Sequence, residues 1–286
     1  MEHRTVHNPG CEIHYWYRQG TGDSWAVFLH GAGLDHAMFE PQFGLFAPAW
    51  HLLAWDARGH GLSKLEPGTA FRFCDMVDDC ETLLERHGVR RAVLIGQSMG
   101  GNLAQEIAYR FPELAEKLVL IDCTRNTGRL TWFEKLALKV SGPIFALYPW
   151  EALLRQSAEA SAISSEVRRY IADCFRSMGK GAFVSVMRSL TDGCLHEDAS
   201  YRFRCPVLLL CGDKDRLGNI RRVAVPWAVE DSRCTLRIIR HAGHNSNQDN
   251  PAEVNRLIAE FLDCGECDRH EIPADTHSGS VGSPVS

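Results

Sequence analysis

A serine enclosed by glycines carries the sharpest chemical signal in the chain. Gly96-Gln97-Ser98-Met99-Gly100-Gly101 follows the apolar run Ala92-Val93-Leu94-Ile95 and precedes a helix-like stretch ending near Pro112. A bare G-x-S-x-G arises by composition in about one chain of this length in ten, so its context carries the weight. A strand-to-helix turn sharp enough to expose a serine hydroxyl strains the backbone and leaves room only for small neighbours. Gly96, Gly100 and Gly101 provide that room. A helix beginning at Met99 would also present free N–H groups to negative charge developing beside Ser98. The plainer reading of the same residues is a Gly-rich turn that packs a helix on a strand.

A serine hydroxyl is a poor nucleophile near neutral pH; it needs a base, and the base needs an acid to orient it. After the apolar run Val207 to Cys211 comes Gly212-Asp213-Lys214-Asp215, and after Leu236 to Ile239 comes His241-Ala242-Gly243-His244-Asn245. Both sets fall at the C-terminal ends of predicted strands, where open α/β sheets place their sites. The order serine, aspartate, histidine is that of a nucleophile-elbow hydrolase. Asp213, Asp215 or Asp122, the last at the end of the run Leu118 to Ile121, offers the acid; His241 or His244 offers the base.

The elements that must position these residues are short. Trp25 to Leu29, Leu52 to Trp55, Ala92 to Ile95, Leu118 to Ile121, Val207 to Leu210 and Leu236 to Ile239 are near-continuous apolar runs, suited to strands buried on both faces of a parallel sheet. Helix-length segments lie between them: Asp75 to His87, Met99 to Phe111, Ile220 to Val229 and Ala252 to Leu262. Strand alternating with helix predicts βαβ units. From residue 125 to 204 the strand-like runs give way to aromatic-rich helical segments around Trp132, Phe145, Trp150, Tyr170 and Phe183. That predicts a helical insertion between two parts of an α/β core, residues 1–124 and 205–264. Residues 265–286, rich in Ser, Gly, Pro and His, predict a disordered tail.

Taken in order, these blocks resemble the α/β-hydrolase superfamily, in its capped, serine-nucleophile, esterase- or lactonase-like form, over roughly residues 10 to 264. His30-Gly31-Ala32-Gly33 resembles the oxyanion loop after the family's third strand, and Asp56-Ala57-Arg58-Gly59-His60-Gly61-Leu62-Ser63 resembles its D-x-R-G-x-G-x-S turn after the fourth. Ser98 falls on the elbow, Asp215 and His244 on the acid and base positions, and Pro251 opens a last amphipathic helix. The resemblance implies an α/β-hydrolase fold: a mostly parallel central sheet flanked by helices, with segment 125–204 as a helical cap inserted after the sixth strand. It implies Ser98 as nucleophile, His244 as general base and then acid, and Asp215 as the carboxylate that fixes the imidazole. The backbone N–H groups of Ala32 and Met99 would form the oxyanion hole. Asp213, His241 and Asp122 are rivals for these roles. His30, Asp56, Arg58 and His60 are expected to brace the oxyanion loop. Relatives that attack with an aspartate, the haloalkane dehalogenases and epoxide hydrolases, are disfavoured by Ser98.

Composition narrows the classes. The 286 residues are 45% hydrophobic and 23% charged, with 31 Lys+Arg against 36 Asp+Glu, as in an ordinary soluble globular protein. A formal charge of −5 gives no basic excess for a phosphate backbone, so nucleic acid is not expected as a partner. No apolar run reaches the roughly 18 residues of a membrane span and the N-terminus shows no signal-peptide pattern, so a cytoplasmic location is expected. The 11 cysteines are scattered through apolar runs and read as reduced thiols; Cys264-x-x-Cys267 is the one close pair. No dinucleotide motif, Walker A loop or zinc-spaced set occurs, so neither cofactor nor metal is expected. The expectation is therefore a cofactor-independent serine hydrolase that cleaves a carboxylic ester or similar acyl bond of a small, largely apolar molecule. Lactone, thioester or carbon–carbon bond hydrolysis, acyl transfer, and ligand binding without turnover stay open.

Overall fold

Strands β1 (Glu2–Asn8), β2 (Cys11–Arg18), β3 (Trp25–Leu29), β4 (His51–Trp55), β5 (Ala92–Gln97), β6 (Ala115–Ile121), β7 (Val207–Gly212) and β8 (Cys234–Ile239) form one sheet. Its order is β1-β2-β4-β3-β5-β6-β7-β8. The computed structural model describes residues 1–128, 131–132, 144–193, 196, 198 and 200–263. β3 to β8 pair in parallel, whereas β1–β2 and β2–β4 are antiparallel. The six predicted apolar runs fall on the six parallel strands, but β8, at the sheet edge, is not buried on both faces: Arg237 and Ile238 are exposed. The β1–β2 hairpin is an addition: its turn follows Asn8, and β2 alternates buried Cys11, Ile13, Tyr15 and Tyr17 with more exposed polar neighbours. That period-two signal differs from the continuous hydrophobicity of the central strands because one face of this edge ribbon meets solvent.

Successive residues of each central strand enter opposite layers, as a pleated strand requires. Val27, Leu29, Leu53, Leu94, Leu118, Leu120, Val207 and Leu209 pack with helices α2 (Phe73–Arg86), α3 (Met99–Arg110) and α7 (Ile220–Glu230). Ala26, Phe28, Leu52, Ala54, Val93, Ile95, Val119, Ile121, Leu208 and Leu210 meet the other layer, which includes α9 (Pro251–Asp263) and the 3₁₀ turn His36–Phe39. Burial on both faces fixes the register, because a slip by one residue would exchange the two sets. Short helices α1 (Glu40–Phe43) and α8 (Ser246–Asp249) close the connections beside this second layer.

Between β6 and β7, segment 125–204 contributes α4 (Trp150–Ser161), α5 (Ser165–Met178) and α6 (Lys180–Gly193). Leu153, Leu154, Ala158, Val167, Ile171, Phe175 and Phe183 bury their apolar faces in the second layer, on the side of α9, while Val186 of α6 joins the first layer and Ser189 Oγ accepts Phe73 N at the start of α2. Arg129, Phe133, Lys135, the Cys264/Cys267 pair and the expected tail lie outside the described residues. The described cysteines are free thiols, mostly buried, and burial pushes Cys11 and Cys205 up to about 11.

Candidate active site

The turn from β5 into α3 places Ser98 at φ +51° and ψ −114°, a left-handed conformation for a non-glycine residue. The turn is tight because a Cβ on Gly96 would collide with the carbonyl of Gly100, and one on Gly100 with the carbonyl of Leu29 at the end of β3. The same close approach sets the loop after β3 directly against the elbow. Ser98 N donates to Ile121 O at 2.8 Å, anchoring the turn to β6.

His244, 7% exposed, brings its ring to this serine from the loop after β8. Nδ1 lies 3.0 Å from Asp215 Oδ2 and Nε2 lies 2.8 Å from Ser98 Oγ. With Nδ1 donating to the carboxylate, Nε2 is left to accept the serine proton. Asp215 is 3% exposed, and its other oxygen accepts the Leu217 amide at 2.8 Å. Burial of the imidazole opposes its charged form. The Asp215 hydrogen bond and charge, helped by Asp122, outweigh this and raise the His244 pKa.

The rivals stand apart from this chain of hydrogen bonds. Asp213 accepts the Ala242 amide at 3.2 Å and pairs with Lys214 at 3.4 Å, bracing the loop that carries His244. His241 is exposed, at φ +54°. Asp122, fully buried at φ +47°, accepts Gly212 N at 2.7 Å and Ser246 N at 2.9 Å, and so ties the end of β7 to the loop that carries His244. Burial, reinforced by the nearby Asp215 charge, pushes its carboxyl up to about 7. Asp122, Cys211 and Asp215 bring ligand-type atoms within 4.8 Å of one another. Each of their carboxylate oxygens already accepts an N–H, so the geometry serves the loops.

On the other side of the elbow, Ala32 lies on the loop after β3, and Met99 opens α3, whose first-turn amides lack intrahelical acceptors. Of the four residues expected to brace this loop, His30 and Asp56 bond the segment after β3, whereas Arg58 and His60 hold the turn after β4. His30 Nδ1 contacts Gly31 O at 2.8 Å while Nε2 accepts Ala57 N at 2.9 Å; Asp56 accepts the His36 ring and amide and the amide of Leu62. Arg58 forks onto Asp79 and reaches Asp75 at 2.9 Å. His60 donates to Arg58 O at 2.9 Å, and burial drives its pKa down to about 3, so it stays neutral.

A sequence profile of the alpha/beta hydrolase family matches residues 26–257. The chain belongs to that family. Among curated relatives of this hydrolase, the 2-succinyl-6-hydroxy-2,4-cyclohexadiene-1-carboxylate synthase of Klebsiella pneumoniae is 28% identical, over 84% of this chain and 94% of its own. Solved structures show the same fold. A thermophilic esterase from Thermogutta terrifontis superposes with a TM-score of 0.76 at 20% identity, covering 92% of this chain and 98% of its own. The enol-lactonase from Burkholderia xenovorans LB400 gives 0.74 at 21% identity, covering 91% and 99%.

The hydrolase site also uses residues that sequence reading missed. Gln97 Nε2 donates to His244 O at 2.7 Å. Asp249 accepts the amides of Gly243, Ile163 and Ser164 at 2.8 to 3.1 Å, joining the loop that carries His244 to the insertion. The available signal was position alone: Gln97 inside the elbow motif, and Asp249 just before Pro251.

Proposed function

We propose that this alpha/beta hydrolase is a serine hydrolase acting on a carboxylic ester or similar acyl bond of a small, largely apolar substrate. The observation that carries the reading is the continuous hydrogen-bond chain Asp215–His244–Ser98 at 3.0 and 2.8 Å on three separate strand-end loops. Ser98 Oγ attacks the acyl carbon as its proton passes to His244 Nε2, and Asp215 stabilises the imidazolium. The amides of Ala32 and Met99 receive the oxyanion. Collapse expels the leaving alcohol, which takes the proton from Nε2; water then enters, activated by the same imidazole, and releases the acid. The insertion acts as a cap. Its Phe175 ring lies against Gly33 of the oxyanion loop, which supports an apolar wall beside the reacting carbonyl.

Charged acyl groups fit this reading less well. Asp35 sits on the oxyanion loop, and the cap cations Arg168 and Lys180 donate to the carbonyls of Ala162 and Ala146. Lactones form the second reading, because a lactone presents the same acyl carbon and the enol-lactonase shares the fold.

The test is a fluorophosphonate probe with intact-mass detection on wild type and Ser98→Ala. One adduct on the wild type, none on the variant, and loss of about 10⁶ in kcat are expected from the cooperative behaviour of such triads. No adduct and no turnover would make the protein a ligand-binding member of the family.

A further inference from the structure

Helix α5 touches both loops of the proposed catalytic machinery. At its N-terminal end, the amides of Ile163 and Ser164 donate to the Asp249 carboxylate, which also accepts Gly243 N beside His244. Ser161 O, at the end of α4, accepts Asn245 N at 2.9 Å. Two turns further along α5, Tyr170 Oη donates to Asp35 Oδ1 at 2.7 Å and Cys174 Sγ to Asp35 Oδ2 at 3.6 Å. The same Oδ1 caps the turn after the oxyanion loop by accepting Ala37 N at 3.0 Å. Phe175 closes the contact: Gly33, at φ +80°, has no side chain, and a Cβ there would collide with the Phe175 ring.

We infer that α5 is a strut holding the oxyanion loop and the base loop at a fixed separation, with Tyr170, Asp35 and Asp249 as positioning residues for the reaction. The inference rests on the serine-hydrolase reading above. From Ser165 to Phe175 an α-helix rises about 15 Å, enough to span a site between two loops, and hydrogen-bonded backbone within it resists compression. The anchors are directional. Buried beside Asp35, the Tyr170 phenol is held protonated, its pKa pushed far up first by burial and then by the neighbouring thiol and carboxylate, so it remains a donor. The cap thereby fixes where the Ala32 amide stands relative to Ser98 and His244, besides covering the substrate.

The measurement is the ratio of kcat/KM for an aryl ester to that for its thionoester, in which sulfur replaces the carbonyl oxygen and accepts N–H bonds poorly. Fluorophosphonate labelling and thermal unfolding are followed on the same samples. Removing an oxyanion donor outright costs about 10²–10³ in kcat, so loosening the loop that carries one should cost about tenfold. Tyr170→Phe and Asp35→Ala are expected to lower kcat on the oxygen ester by about that factor and to narrow the oxygen-to-sulfur ratio alike. Asp35→Asn keeps an oxygen for Tyr170 and Ala37 and is expected to restore most of both. A lower unfolding temperature with an unchanged ratio, in a wild type that labels, would overturn the strut while leaving the nucleophile in place. A wild type that does not label would overturn the serine reading and the strut with it.

Discussion

Gln97 holds His244 by its backbone. The side-chain amide of the residue preceding the elbow serine donates to the His244 carbonyl at 2.7 Å, so Ser98 and His244 are registered to each other through β5 as well as through their own contact. Gln97 is 1% exposed, so the His244 carbonyl would lose a buried partner if the amide were removed. Gln97→Ala is therefore expected to lower stability by about 1–3 kcal/mol. Because small misplacements are costly in such sites, kcat should fall by about ten- to a hundredfold. Denaturant titration and steady-state kinetics check both; unchanged kcat in a destabilised variant would reduce Gln97 to a structural role.

The acid assignment separates Asp215 from Asp122. Asp215→Asn would pair with the wrong imidazole tautomer, a change that costs about 10⁴ in kcat in serine proteases. Asp122→Asn retains one acceptor oxygen where two amides, of Gly212 and Ser246, are now served. It should cost about 1–3 kcal/mol of stability and leave kcat within about tenfold. If Asp122→Asn is the more damaging to kcat in folded protein, the acid lies after β6.

The pH dependence follows from His244. Its pKa is raised above the ordinary 6.5, because Asp215 and Asp122 together outweigh burial, and in the proposed mechanism it must be neutral to accept the serine proton. kcat/KM should thus fall as pH drops through a midpoint above that of a free imidazole. Asp122→Asn removes one of the charges favouring the imidazolium, so its midpoint should move to lower pH. A flat profile across about pH 5 to 8, with chemistry rate-limiting, would count against His244 as the base.

How legible these features are depends on their physical origin. Ser98, Asp215 and His244 announce themselves because each follows an apolar strand run at a sheet's C-terminal edge, and the structure brings their side chains into contact. The β1–β2 hairpin lacks such a run, being half-exposed, and reads only through the alternation of Cys11, Ile13, Tyr15 and Tyr17. Gln97 and Asp249 act through backbone amides and carbonyls. Those groups carry no residue-type signature, and in the first case they belong to residues separated by 147 positions. The aromatic-rich insertion is visible as composition, but the division of labour within it is not. Phe175 and Phe183 are buried and pack in a tilted arrangement with centroids 5.0 Å apart, Trp150 packs on Phe183 at 5.7 Å, and Trp132 stays 66% exposed.

That division of labour shapes the last prediction, the substrate preference. Phe145 and Trp150 each pack on Phe183, whereas Phe175 meets both Phe183 and Gly33. One aromatic face therefore borders the oxyanion loop, and an acyl chain lying along it would leave water. Each buried methylene contributes about 0.8 kcal/mol, which is roughly fourfold in kcat/KM until the space is filled. In a series of p-nitrophenyl esters from acetate to octanoate, kcat/KM should climb and then level. Phe175→Ala should move the plateau to longer chains, since the ring is 5% exposed and packed on Gly33 and Phe183, and its removal opens apolar space there. An ester carrying a terminal carboxylate should be the poorer substrate at equal length, because Asp35 lies beside the oxyanion loop and the cations Arg168 and Lys180 are engaged with carbonyls. Rates that fall from acetate onward, or a preference for the carboxylate-bearing ester, would refute the apolar wall without touching Ser98.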